Sequence, residues 1–242
     1  MKRRRLNPGA LTAPLPPALV TVGNMEKHNV LTVAWTGILA TVPPKTYVSV
    51  RPSRYSHGML KEGGEFVINL MSEDYAREVD FAGIYTGAKI DKFKRCGFTA
   101  VESESVKAPT IGESQLSLEC RVSGVMSMGS HDVFLADIVG VSCREELMNE
   151  EGRLCLERAR LLAYAHGEYY SLGEKLGKFG FSTDKPGKSA AKKRITGDGQ
   201  KKTNGKSEQK TAKEKPFYYG MSVGKKKKSP SENKDKGKRR KP

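Results

Sequence analysis

The chain has 242 residues, of which 37% are hydrophobic and 29% charged, enough for one packed domain of about 150 to 200 residues and a further segment. Residues 183–242 hold 21 of the 43 Lys and Arg residues but only 6 of the 27 Asp and Glu residues, and so carry nearly all of the net charge of +16. The basic isoelectric point therefore reflects residues 183–242. It excludes no function for the rest of the chain, which is nearly neutral and which we call the body.

The first half of the body predicts mainly strands. β-Branched and apolar runs at 18–23, 30–42 and 47–50 end at glycine or proline and indicate three strands, preceded by a Pro-rich lead-in at residues 1–16. A short helix is predicted at 53–60, with Ser53 as its N-cap. A fourth strand follows at 65–70.

The second half of the body predicts helices placed between strands. Helical spacing indicates a helix at 73–82, a helical turn at 91–96 and another helix at 153–163. Two extended runs around Gly129, at 115–126 and 131–143, predict a long hairpin, and 168–172 a terminal strand or loop. Many strands with helices at their ends indicate a mainly β fold, a closed or partly closed antiparallel barrel with inserted helices.

The last 60 residues differ from the body in composition. They contain nine apolar side chains, too few to offset the entropy of ordering the segment, so we expect a disordered Lys-rich tail at 183–242. Basic blocks at 225–228 and 236–241, with aromatic residues at 217–219, leave open a weak contact with nucleic acid or an anionic surface. A dispensable solvated extension is the other interpretation.

Several classes of site lack their sequence signature. The four cysteines form no CxxC pair, and the four histidines are scattered, so we expect neither a disulfide framework nor a metal site. The glycine, histidine and serine motifs of Rossmann folds, P-loops, zinc proteases and serine hydrolases are absent. The longest uncharged stretch, 30–44, is shorter than the roughly 18 residues of a membrane span, and a cytoplasmic protein is predicted.

The segment at residues 49–57 joins a predicted strand to a predicted helix. Such a junction directs free backbone N–H groups outward. Hydroxyls of Ser53 and Ser56 and the guanidinium groups of Arg51 and Arg54 add donors suited to phosphate oxygens. The alternative is that Ser53 only caps the helix and both arginines are solvated.

The only tryptophan, Trp35, lies among small residues. Ala34, Thr36 and Gly37 would let a flat ligand approach the strand backbone closely and meet its N–H and C=O groups. The alternative is a core strand with one buried indole.

Eight short segments occur in the order found in a known family. Residues 17–182 resemble the flavin reductase-like family with the FMN-binding split barrel, and in particular the flavoredoxin-type proteins. The segments are 17–23, 31–37, 49–56, 65–70, 80–83, 91–93, 129–132 and 176–182. No segment is specific alone, but together they extend over nearly the whole body.

The resemblance implies a binding site for FMN. It assigns the FMN phosphate to the loop that carries Ser53, Arg54, Tyr55 and Ser56, and the isoalloxazine ring to the strand that carries Ala34, Trp35, Thr36 and Gly37. Asn69 and Leu70 would border the ring from the neighbouring strand.

Further roles follow from the same resemblance. Lys92 would supply positive charge to the phosphate or to the reduced flavin. His131 would lie beside the nicotinamide, although Ser130 stands where the related motif has aspartate. The resemblance also implies a homodimer, with Tyr164, Tyr169 and Tyr170 as candidates for its interface.

The expected function is electron transfer from NADH or NADPH through FMN to a free flavin or a protein acceptor. One alternative is an FMN electron carrier that serves redox partner proteins without nicotinamide activity of its own. Another is a nucleic-acid-binding protein in which the barrel is a scaffold for the basic tail.

Overall fold

The computed structural model describes residues 1–183. It contains eleven strands, counted within these residues: β1 (Ala18–Gly23), β2 (His28–Val33), β3 (Thr36–Thr41), β4 (Pro44–Val50), β5 (Glu65–Leu70), β6 (Ala100–Val101), β7 (Thr110–Ile111), β8 (Leu116–Ser127), β9 (Asp132–Cys143), β10 (Leu162–Ala165) and β11 (Glu168–Ser171). Its α-helices are α1 (Tyr55–Gly63), α2 (Ala76–Ile84) and α3 (Lys92–Cys96).

Seven of the strands form one antiparallel sheet in the order β2-β1-β5-β8-β9-β4-β3. Its two edge strands, β2 and β3, are consecutive in the chain and are joined only by Ala34 and Trp35. The edges therefore approach each other at this point without a hydrogen-bonded ladder between them. This arrangement is a split barrel, with its seam at Trp35.

The core lies on both faces of the sheet. Val20 of β1 packs inside the barrel with residues such as Val48, Phe66 and Phe134, while Leu19 faces a second cluster beneath α2 and α3. Burying each such side chain contributes about 1.5 to 3 kcal/mol. The strand β1 is thus covered on both sides, and it fixes the helices against the sheet.

The predicted mainly β fold with helices inserted at strand ends is confirmed, and two predicted elements are wrong. The strand predicted at 30–42 is interrupted at Ala34 and Trp35, where the chain crosses from one sheet edge to the other. The helix predicted at 153–163 is only a 3-10 turn, Leu156–Arg158, followed by β10. Arg160 has a positive φ of 48°, which no α-helix accommodates.

Residues Met1–Leu176 form one compact unit, and a second begins at Gly177. Of that second unit the structure describes seven residues, including the 3-10 turn Phe181–Thr183. The predicted basic tail lies outside the described residues, apart from Thr183. Within residues 1–183, no helix is both long and apolar enough to cross a membrane, and no group of three His, Cys, Asp or Glu side chains is arranged to hold a metal ion.

Candidate functional site

A cleft opens at the seam of the barrel. It consists of two adjoining cavities, of about 430 Å³ and 410 Å³, which share Leu31, Arg51 and Arg54 in their walls. We call the first the wide cavity, bounded by Trp35, Ile84 and Tyr164. The second is the basic cavity, bounded by Arg54, Ser56 and Lys92. Because the two cavities adjoin at the residues they share, we refer to them together as the cleft.

The crossing between β2 and β3 forms one wall of the wide cavity. Ala34 and Trp35 both line it, and the indole of Trp35 is 39% exposed. The carbonyl of Trp35 accepts a hydrogen bond from Ser49 N–H (3.0 Å). This bond holds the crossing against the start of the segment at 49–57. The indole is therefore available to a ligand rather than sealed in the core.

The structure does not bring Thr36 and Gly37 to the cleft. Thr36 Oγ1 donates to the carbonyl of Tyr47 at 2.6 Å, and Gly37 pairs with Tyr47 in the ladder between β3 and β4. Both residues belong to the sheet, and of the four predicted on this strand only Ala34 and Trp35 face the cavity.

Lys92 carries a buried positive charge to the basic cavity. Its side chain is almost wholly enclosed, and Nζ donates to the carbonyls of Val30 (2.8 Å) and Ala82 (2.7 Å). Burial, and then the neighbouring charge of Arg54, lower the pKa of Lys92 to about 8. Within residues 1–183, no carboxylate forms an ion pair with this ammonium group, which keeps a third donor for an anion in the cavity.

The start of α1 supplies further donors to the basic cavity. Its N-cap is Arg54, in extended conformation and without a side-chain capping bond, so the prediction of Ser53 as the cap is wrong. The N–H group of His57 donates to the carbonyl of Arg54 at 2.9 Å, which leaves those of Tyr55 and Ser56 available beside the guanidinium groups of Arg51 and Arg54. Neither arginine has a carboxylate partner within the part of the chain that the structure describes.

Three further residues of the predicted site also line the basic cavity, namely Ser53, Tyr55 and Ser56. The hydroxyl of Ser56 is buried and accepts a hydrogen bond from Asn29 Nδ2 at 2.6 Å. Gly87 lies against Asn29 so closely that a Cβ at this position would approach Asn29 Oδ1 to 2.1 Å. Sequence reasoning missed Asn29 and Gly87, because neither belongs to a motif with a characteristic spacing.

The predicted site residue His131 lies in the wall of the wide cavity. Its Nδ1 is hydrogen-bonded to Ser130 Oγ at 2.9 Å. Partial burial, and then the charge of Arg51, lower the pKa of His131, which keeps the imidazole neutral at neutral pH. The serine that departs from the related motif is thus the residue that orients the ring.

The structure does not bring Asn69 and Leu70 to the cleft. Asn69 is fully buried, and its amide donates to the carbonyl of Leu19 and accepts from Ile111 N–H, both at 3.0 Å. Leu70 packs against the barrel core. Both lie on β5, which β1 separates from β2 in the sheet, so neither reaches the crossing at Trp35.

A second wall of the wide cavity comes from α2 and the β10–β11 hairpin. Tyr164 and Tyr169, expected at a subunit interface, line the wide cavity together with Asp80. Tyr169 donates to Asp80 Oδ1 at 3.2 Å, and burial followed by the carboxylate raises the pKa of Tyr169 to about 12. Asp80 is the first residue of 80–83, one of the segments that resemble the known family. This segment is the sequence feature that could have indicated the wall.

Comparisons with known proteins identify the family of the chain. The model of the flavin reductase like domain matches residues 11–173. Flavoredoxin of Desulfovibrio vulgaris (Miyazaki F) has a similar structure, with a TM-score of 0.70 and 30% identity over 75% of this chain and all of that one. A protein of Pyrococcus abyssi is 30% identical over 69% of this chain and 95% of its own length.

A more distant relative carries an enzyme name. The FMN reductase (NADH) RutF of Pseudomonas syringae is 24% identical over 99 residues, which are 41% of this chain and 53% of that protein. The match of the family model extends over more than half of the chain and confirms the resemblance found from the sequence. The chain belongs to the flavin reductase-like family and has its split-barrel fold.

Proposed function

We propose that the cleft binds FMN and that the protein is an FMN-dependent oxidoreductase. The observation that carries this proposal is the buried ammonium group of Lys92, which has no carboxylate partner within residues 1–183 and faces a cavity that also receives Arg54 and the start of α1. A phosphate group supplies the charge that this environment lacks. The adjoining wide cavity, with Trp35 exposed, has the shape and lining for a flat ring.

Each end of the cleft has a distinct task. Lys92, Arg51, Arg54 and the first N–H groups of α1 would hold the phosphate. Trp35, Ala34 and Tyr164 would enclose the ring and exclude water from one side of it. Bound FMN supplies hydride acceptance and one- or two-electron transfer, while the protein provides orientation and electrostatics.

The electron donor that we propose is NADH or NADPH. His131 lies in the wide cavity, and its lowered pKa leaves it neutral, able to hydrogen-bond a carboxamide without adding charge. The name of the P. syringae relative, an NADH-dependent FMN reductase, supports this donor. The acceptor in this proposal is a free flavin or a redox partner protein.

The test is the visible spectrum of the purified protein, before and after NADH is added without oxygen. We expect flavin absorption, either as purified or after addition of FMN, and bleaching of that absorption by NADH or NADPH. A colourless protein that does not bind added FMN would refute the proposal at its first step.

A matched pair of variants tests the phosphate end. We expect Arg54→Ala to weaken FMN binding by about 1 to 3 kcal/mol, because a charge-assisted contact to phosphate is lost. Arg144→Ala is the control, since Arg144 is paired with Glu146 at 2.7 Å and lines neither cavity. Equal FMN dissociation constants for the two variants would show that the phosphate lies elsewhere.

A second candidate is an electron carrier that exchanges electrons with other redox proteins and uses no nicotinamide. The similarity to flavoredoxin favours it. The anaerobic experiment separates the two, because a carrier would bind FMN yet keep its absorption when NADH or NADPH is present without a partner. The homodimer stays a prediction in both cases.

A further inference from the structure

A hydrogen bond joins the side chains of His57 and Asp132 outside the two cavities. His57 Nε2 and Asp132 Oδ2 are 2.8 Å apart, and the two side chains are 11% and 17% exposed. The His57 ring also packs edge-on against Phe134, with centroids 5.3 Å apart. Neither residue lines the wide or the basic cavity, so the cleft as described does not use them.

The position of Asp132 in the sheet gives the pair its significance. Asp132 is the first residue of β9, and its backbone pairs with Val50, the last residue of β4. His57, its side-chain partner, lies in the first turns of α1. The segment at 51–56 therefore leaves β4 opposite Asp132, and His57, the residue that follows it, is hydrogen-bonded to Asp132.

This segment is the one that carries Arg51, Ser53 and Arg54 into the basic cavity. The arginine side chains have no carboxylate partner within residues 1–183, so their positions depend on the backbone from which they extend. Asp132 also follows His131 directly in the chain, and His131 lines the wide cavity. Asp132 is thus connected to the wall of the basic cavity through His57 and to the wall of the wide cavity through His131.

The carboxyl group of Asp132 is suited to a permanent attachment. Hydrogen bonds from His57 and then Ser127 hold the pKa of Asp132 below its usual range, so it remains an acceptor at neutral pH. Ser127 is its partner across the β8–β9 hairpin, so the carboxylate joins β8, β9 and α1.

We propose that Asp132, through His57, is a positioning residue that closes the 51–56 segment into its anion-binding shape and sets it relative to His131. The proposal rests on the proposed function, because the anion it serves is the FMN phosphate. A segment held in its bound shape loses less conformational entropy on binding, so the pair increases affinity without touching the ligand.

The experiment is a double-mutant cycle on the full chain, with the FMN dissociation constant from quenching of flavin fluorescence as its readout. We expect Asp132→Ala and His57→Ala each to raise the dissociation constant about tenfold. The double variant should raise it no further, because each substitution removes the same contact between His57 and Asp132. His57→Gln keeps an N–H donor and is expected to restore most of the affinity. Asp137→Ala is the control, since Asp137 lies on the same strand and pairs with Lys45 away from the cleft.

Hydrogen exchange of the amides at 53–57, measured without FMN, gives a readout independent of the cofactor. We expect faster exchange in Asp132→Ala and His57→Ala and an unchanged rate in Asp137→Ala and His57→Gln. Wild-type affinity in both alanine variants, additive losses in the double variant, or unchanged exchange would each overturn the inference. A wild-type protein that binds no FMN would instead refute the proposed function, and the exchange experiment would still decide the attachment of the segment.

Discussion

Lys92 shows how a single residue can indicate a ligand. An ammonium group enclosed by protein loses its hydration, and two carbonyls compensate for this only in part, as the fall of its pKa to about 8 shows. A carboxylate would relieve the cost, yet none is paired with Lys92 in residues 1–183. The group is stabilised fully when an anion enters the basic cavity.

This environment predicts a pH dependence of FMN binding. The protonated form of Lys92 binds the phosphate, so affinity is expected to be steady between pH 7 and 8 and to fall above about pH 8, by up to about tenfold for each unit. The measurement is the FMN dissociation constant between pH 7 and 9. The Lys92→Met variant should bind FMN weakly, and its affinity should not fall as the pH rises above 8. The Lys94→Met variant, changed on the exposed side of α3, should keep the pH dependence of the wild type. A wild-type affinity that is flat up to pH 9 would contradict the assignment.

Some residues that line the cavities could be singled out from the sequence because their chemistry is visible in the residue type. Arg54 is a cation among hydroxyl residues and Trp35 is the only tryptophan, whereas Lys92 was named only because its segment, 91–93, resembles the known family. Asn69 could not be judged in the same way, since its amide could serve a ligand or the core, and only the structure shows it bonded to Leu19 and Ile111. The partner of His57 is 75 residues away, and no local pattern predicts it.

At the scale of elements, the crossing between β2 and β3 was the feature that sequence patterns concealed. An apolar, β-branched run at 30–42 favours one strand, and nothing local indicates that its two halves lie on opposite edges of the sheet. The same limit applies to 153–163, where helical spacing is overridden by the left-handed backbone of Arg160. The side chain of Arg160 binds Glu73 at 2.6 Å, a long-range contact that helps to fix this turn.

The contact between β2 and the segment after α2 gives a prediction about packing. In Gly87→Ala the new methyl group would overlap the amide of Asn29, which must move away from Ser56. We expect a loss of about 1 to 3 kcal/mol in the free energy of unfolding and weaker FMN binding. Gly58→Ala is the matched control, because its Cβ meets nothing within 4 Å in α1, and it should stabilise the protein by about 0.5 to 1 kcal/mol. Urea unfolding and FMN titration of both variants test this, and a Gly87→Ala protein as stable as the wild type would contradict the close contact.

At the scale of the whole molecule, the chain combines a nearly neutral body with a strongly basic segment. Every residue assigned to the cleft lies between Pro17 and Tyr169, within the first compact unit, while 21 of the 43 Lys and Arg residues lie in 183–242. Redox chemistry and any binding of polyanions would thus be carried by different parts of the chain. The two activities should separate when the chain is cut between them.

A chain cut after Thr183 is therefore expected to bind FMN with the dissociation constant of the full chain, because no cleft residue is removed. The full chain is expected to bind double-stranded DNA weakly, with an affinity that falls steeply as salt rises, because each lysine that neutralises a phosphate releases a counterion. The cut chain should show no such binding at any salt concentration. Flavin fluorescence measures the binding of FMN, and fluorescence anisotropy of labelled DNA between 50 and 200 mM salt measures the binding of DNA. DNA binding that survives the cut would place a polyanion surface on the barrel itself, where the nearly balanced charge of residues 1–182 gives no reason to expect one.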